Sequence, residues 1–145
     1  MTDPDTLATL RAAVETIAPG TEGMPGAVDV GSDQHVADML DLGLPGITVM
    51  IAALLDAYAA DVKGGTAFKD LSIEDRGRVV RAMSTDESQD IRDAIDAIIV
   101  FGCGGLFSEW SGYDRASRAL KAPAVWAAAG FHGPVHGHPN YREDI

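Results

Sequence analysis

Residues 90–110, DIRDAIDAIIVFGCGGLFSEW, decide the fold. At helical pitch Ile91, Ile95, Ile98, Gly102 and Gly105/Leu106 fall on one stripe, while Arg92, Asp93 and Asp96 point away from it. The first half therefore reads as an amphipathic helix. Residues 97–107 carry no charge, and Val100, Cys103 and Phe107 extend apolar surface onto the face that Asp93 and Asp96 keep wet. A helix that is apolar all round has to be covered on every side, by its own chain or by another. Gly102, Gly104 and Gly105 each cost about 1 kcal/mol relative to Ala inside a helix, a loss that close approach of two backbones offsets. The stretch is expected to be the centre of the fold and a candidate contact with a partner.

Upstream, Asp3-Pro4 sets a capping side chain before a proline at the first helical position, and Leu7, Leu10, Val14 and Ile17 follow at 3/4 spacing. Pro19-Gly20 ends that helix. Residues 19–31, with Met24, Ala27, Val28 and Val30 among glycines and prolines, read as an ordered loop laid over the core. Ser32 is expected to cap a short helix, residues 33–42, that buries Val36, Met39 and Leu40. After Gly43 and Pro45-Gly46, the stripe Ile47, Met50, Ile51, Leu54, Leu55, Tyr58 predicts a third helix to about residue 61, stopped by Lys63-Gly64-Gly65. Phe68 and Leu71 are expected to pin the next loop to the bundle. Ser72-x-x-Asp75 resembles a capping box that opens a fourth helix, with Ile73, Val80 and Met83 on its inner side. Ser84-x-x-Glu87 reads as the box that opens the central helix.

Downstream of Gly112, residues 114–122 bring Arg115, Arg118 and Lys121 within reach of one helical face. Pro123 then starts a short helix, residues 124–129, that carries Trp126. From Gly130 the pattern changes to Gly-Phe-His-Gly-Pro-Val-His-Gly-His-Pro-Asn-Tyr, which cannot be regular helix and reads as an extended arm held by Phe131, Val135 and Tyr141. No strand of alternating pattern and no internal repeat is found. The expectation is an all-α, single-domain helical bundle of five or six helices over residues 1–145, with an extended Gly/His/Pro-rich arm at 130–145.

Composition narrows the function. A chain of 145 residues with 22 Asp+Glu against 11 Lys+Arg, net charge -11, is long enough for a core without metal or disulfide staples and is a poor ligand for nucleic acid or anionic membranes. Cys103 alone allows no internal disulfide and reads as a small buried hydrophobe. Met-Thr-Asp-Pro-Asp is no export signal, and no uncharged apolar run approaches the roughly 20 residues of a membrane span. The sequence as written is expected to be cytoplasmic, or exported with a partner that bears the signal.

His132, His136 and His138 could ligate a transition metal, but Gly133-Pro134 denies them helical spacing and no Cys or carboxylate sits at a familiar interval. Such histidines more often bond backbone or meet solvent, so no metal ligand is assigned. Gly102-Cys103-Gly104-Gly105 lies late in a helix, without the strand that precedes a phosphate-binding loop, and close helix packing explains it better. Ser108-Glu109-Trp110-Ser111 lacks a nucleophile elbow and a neighbouring base, and Asp33/His35/Asp38 reads as solvating charge. No catalytic or cofactor-binding residue is assigned. Trp110, Tyr113, Trp126, Phe131 and Tyr141 gather in the last quarter, as second core or as partner surface.

Several short motifs then converge. Leu10-Arg11-Ala12, Ile17-Ala18-Pro19-Gly20 and Pro25-Gly26-Ala27 resemble the start of the gluconate 2-dehydrogenase subunit 3 family. Phe68-x-x-Leu71 with Glu74-Asp75-Arg76 resembles its middle, and a Trp helix leading to Gly130-Phe131-His132-Gly133-Pro134 resembles its end. The resemblance implies a small helical subunit bound to a large FAD-dependent dehydrogenase of the glucose-methanol-choline type, sometimes with a cytochrome as third member. The flavin and the substrate site would belong to the large subunit, which the small one helps to fold. Such subunits often supply a twin-arginine export signal, which residues 1–7 lack.

The leading expectation is thus a non-catalytic accessory subunit that docks through Gly102, Gly104, Gly105, Phe107, Trp110, Trp126, Phe131, His132, Pro134, His136, His138 and Tyr141. The alternatives are a small metalloenzyme that uses the tail histidines and a homo-oligomeric regulatory bundle.

Overall fold

Helix α1, Pro4–Ile17, starts where the Asp3 carboxylate accepts the backbone amides of Asp5 and Thr6, both at 3.0 Å, with Pro4 at the first helical position. Both orphan donors and the proline's fixed φ favour a helix at this point. In the computed structural model, which describes residues 2–108, 111, 113–114, 116–120 and 122–131, α1 is followed by α2 (Ser32–Gly43), α3 (Ile47–Val62), α4 (Ile73–Ser84), α5 (Gln89–Phe107) and the short α6 (Ala124–Ala128). The chain is all-α, as its periodicity predicts.

The hub of the core is α1 rather than α5. It packs against α2, α3, α4 and α5, whereas α5 packs chiefly on α2 and more lightly on α4, α1 and α6. Sequence reading favoured α5 because its apolar surface is widest, but width does not mean coverage. Buried Ala12, Ala13, Thr6 and Thr9 give α1 a thin profile that admits neighbours on several sides around Leu10 and Val14. Val36, Leu55, Phe68, Val79, Met83, Ile95 and Ile98 complete the core with no exposed surface.

The ordered loop after α1 is held by a Thr21–Met24 bridge and by the Ala27 amide bonding back to the Ala18 carbonyl at 2.9 Å. Gly26 lies so close to Gly20 that a Cβ on it would fall 2.4 Å from the Gly20 nitrogen. Only glycine fits there. Farther on, Phe68–Asp70 forms one 3₁₀ turn whose Phe68 amide donates to Asp56 Oδ1 at 2.8 Å. Arg76 then holds the turn from α4, with Nε on the Leu71 carbonyl, Nη2 on the Lys69 carbonyl and Nη1 on Glu15 of α1.

Several local expectations are corrected. Ser32 is not a cap: Gly31, at φ 77°, occupies that position, and Ser32 is fully buried. Met50 does not join the buried stripe of α3 but is 62% exposed, because Ile51 and Leu55 already fill the contact with the core. On α4 the buried pair is Val79 and Met83, and Ile73 is exposed. Ser84 ends α4, its hydroxyl donating to the Val80 carbonyl at 2.9 Å, and α5 opens at Ser88 instead. Arg92 reaches back to the carbonyls of Asp86 and Glu87, which fixes that turn. Among the described residues of 114–122 there is no helix. Tyr113–Asp114 (β1) and Ala119–Leu120 (β2) pair antiparallel, because the Asp114 carboxylate accepts the amides of Ala116 and Ser117 and draws the chain into a turn. Of the three basic residues expected on one face, Arg118 sits in this turn at φ 52°; Arg115 and Lys121 lie outside the described residues.

Candidate partner interface

The glycines of α5 divide between two faces. Gly102 and Gly105 are buried toward α1 and α2, so they serve the interior rather than a partner. A Cβ on Gly105 would fall 2.8 Å from His35 Cδ2 and 2.9 Å from Ser32 Oγ, so the absence of a side chain there lets α2 lie close against α5. A Cβ on Gly102 would meet Val14 and Val36 at ordinary contact distances of 3.7–3.9 Å. Gly104 is exposed and faces open space. These glycines lie in the last turns of a helix and not at its N-terminus, where phosphate-binding backbone amides are found.

On the outer face Val100 is 63% and Phe107 48% exposed, beside Gly104. This is the part of the all-apolar segment that the described residues leave uncovered. The end of α5 is built firmly nonetheless. Ser111 Oγ donates to the Ser108 carbonyl at 3.0 Å and to the Leu106 carbonyl at 3.3 Å, and Ser108 returns its amide to the Gly104 carbonyl at 2.9 Å. The hydroxyls of Ser108 and Ser111 thus satisfy helix-end carbonyls. From α6, Trp126 Nε1 donates to the Phe107 carbonyl at 2.7 Å, and Phe131 stands edge-on to the indole at a centroid distance of 5.2 Å. Phe131 itself is 50% exposed. Trp126 is therefore committed to the chain's own packing, and among the described residues Val100, Phe107 and Phe131 are the large side chains that offer open surface at this end.

The other expected contacts, Trp110, His132, Pro134, His136, His138 and Tyr141, lie outside the described residues, as does Glu109. Among the described residues no group of three or more His, Cys, Asp or Glu side chains could hold a metal ion. Asp33 is buried and His35 half-buried against Gly105. Burial pushes the His35 pKa down, opposed by the nearby Asp38 charge. Cys103 is half-buried on α5. No single described helix is long and apolar enough to cross a membrane.

A family model described as gluconate 2-dehydrogenase subunit 3 matches residues 4–102. The chain belongs to that family. The subunit 3 match spans α1 to α4 and most of α5; Phe107, α6 and Phe131 lie past its end. No curated protein and no solved structure matches the chain significantly. The motifs within residues 4–102 that suggested subunit 3 are structural: Leu10, Ala12, Ala27, Phe68 and Leu71 are buried, Gly26 makes the close backbone approach, and Arg76 holds the 3₁₀ turn.

What sequence reasoning missed is a second open apolar region at the corner between α2 and α3. There Leu42, Leu44, Val49 and Met50 are each more than half exposed. The signal was present in Leu42, Leu44 and Val49, which fall off the 3/4 stripes that were followed.

Proposed function

We propose that this chain is a non-catalytic small subunit that binds a large FAD-dependent dehydrogenase of the glucose-methanol-choline type and supports its folding and assembly. The observation that carries the reading is the open outer face of α5, Val100, Gly104 and Phe107, on a chain of the subunit 3 family. Apolar surface of that kind, on a helix already rigid at its end, suits association with another polypeptide. Flavin and substrate would belong to the large subunit, with a cytochrome as a third member where the electron acceptor requires one. Stabilisation would act by mass action, since a partner that binds only the folded large subunit draws it from the unfolded pool.

Co-expression of such a large subunit with and without this chain, followed by soluble yield and FAD per polypeptide, tests the reading. Both quantities are expected to fall several-fold when the chain is omitted. A large subunit that is equally soluble and fully loaded alone would refute it.

A further inference from the structure

Beside the first half of α5 runs a groove of about 440 Å³, walled by Leu44, Ile47, Met50 and Leu54 on one side and by Ile91 and Ala94 on the other. Asp90 and Asp93 stand on its rim. Among the described residues neither carboxylate is paired with a cation, and Asp93 Oδ1 accepts only the neutral Gln89 side-chain amide. The corner that forms the outer wall is fixed rather than loose: Thr48 Oγ1 donates to Asp41 Oδ1 at 2.7 Å, and Gly46 turns the chain at φ 84°. Met50 is thus held out in solvent at 62% exposure by a braced backbone.

We infer that this groove receives an amphipathic segment of the large subunit, whose apolar side chains enter between α3 and α5 and whose lysines or arginines face Asp90 and Asp93. The inference rests on the accessory-subunit reading and adds to it the chemistry of the segment that is gripped. Charge selects the occupant. A second copy of a chain with net charge -11 would bring another pair of acids to the same rim, and an anionic lipid surface would be repelled likewise. A cationic flank removes that repulsion and gives both carboxylates a counter-charge.

Position supports the same occupant. Asp93, Ala97, Val100, Gly104 and Phe107 recur at 3/4 spacing, so the α5 wall of the groove continues into the open face proposed above as the partner contact. The 19 residues of α5 extend over roughly 28 Å, and one partner surface can follow the helix from its acidic start to its apolar end.

The test uses the purified complex of the full chain with the large subunit. With benzoylphenylalanine at position 50 in place of Met50, irradiation is expected to cross-link one segment of the large subunit in which apolar residues are flanked by Lys or Arg. Asp90→Lys with Asp93→Lys should weaken the complex about tenfold or more and flatten its salt dependence, while Asp90→Glu with Asp93→Glu retains both. Circular dichroism of each variant verifies that the helices remain. Cross-links to residues 132–145 of this chain, to a second copy or to an acidic segment, or full affinity after charge reversal, would overturn the inference and leave the accessory reading standing. A chain that forms no complex with the large subunit overturns both.

Discussion

Trp126 Nε1 donates to the carbonyl of Phe107 at 2.7 Å, joining α6 to the last residue of α5 across 19 positions of sequence. The bond satisfies one of the four carbonyls that every helix leaves unpaired at its C-terminus. It also holds the backbone beneath the exposed Phe107 ring, so the apolar face is presented by a stiff helix end.

Replacement of Trp126 by Phe keeps an aromatic ring beside Phe131 while it removes the donor and part of the ring surface. A loss of about 1 kcal/mol is expected. Urea denaturation measures it, and hydrogen exchange should quicken at the Ser108 and Ser111 amides, which cap the same turn.

The two buried glycines of α5 should respond in opposite ways. Gly105→Ala places a methyl group against Ser32 and His35 and is expected to destabilise by about 1–3 kcal/mol. Gly102→Ala has room and gains helix propensity, so it should be neutral or stabilising by up to about 1 kcal/mol. Thermal melts of the pair test the placement of α5 on α2. Equal effects would contradict it.

Arg76→Met deletes the guanidinium that joins Glu15 of α1 to the carbonyls of Lys69 and Leu71. The 3₁₀ turn that seats Phe68 then loses its brace, at a cost of about 2 kcal/mol read from the urea midpoint. Proteolysis at residues 63–67, just before the turn, should accelerate in the variant.

Stability should fall with acid in two stages. Burial favours neutral His35 in the fold, against the pull of Asp38, so its folded pKa lies below its unfolded value. Its contribution is complete above the ordinary imidazole value, roughly 6.5, and declines as pH falls from there toward the lower folded value. Asp3, Asp41 and Asp86 are held below the usual aspartate range by the hydroxyls of Thr6, Thr48 and Tyr58 respectively. Their contributions are complete above the ordinary aspartate value, near 3.9, and are lost as pH falls through the folded values. Denaturation midpoints at pH 7.5, 5 and 3 should reveal both stages. His35→Gln should abolish the first and keep the second.

The helices were legible because their devices are local. Asp3-Pro4, Ser72-x-x-Asp75 and the Ile95/Ile98/Gly102 stripe each act within a few residues, and each appears where its pattern places it. Ser84-x-x-Glu87 failed because a serine can also end a helix by donating to the carbonyl four residues back, and pattern alone does not choose between the two. The hairpin around Asp114 failed for a related reason, an Asx turn competing with a weak helical pattern. At the interface, the periodicity located the apolar face of α5 but could not tell Gly105, which α2 fills, from Gly104, which nothing described covers. That distinction depends on which helix lies alongside, a long-range fact. The exposure of Met50 was hidden likewise, since an apolar residue at helical spacing reads as core until a neighbour fails to arrive.

The central claim is that the outer face of α5 is a docking surface, and charges placed on it test this most directly. Val100→Asp with Phe107→Asp leaves the Trp126 bond intact, because that bond uses the Phe107 backbone. Titration of the large flavin subunit with wild type and double variant, followed by calorimetry or light scattering, should give an affinity at least about 100-fold weaker for the variant, since two exposed contact residues are replaced by charges. An unchanged affinity in a normally folded variant would contradict the account.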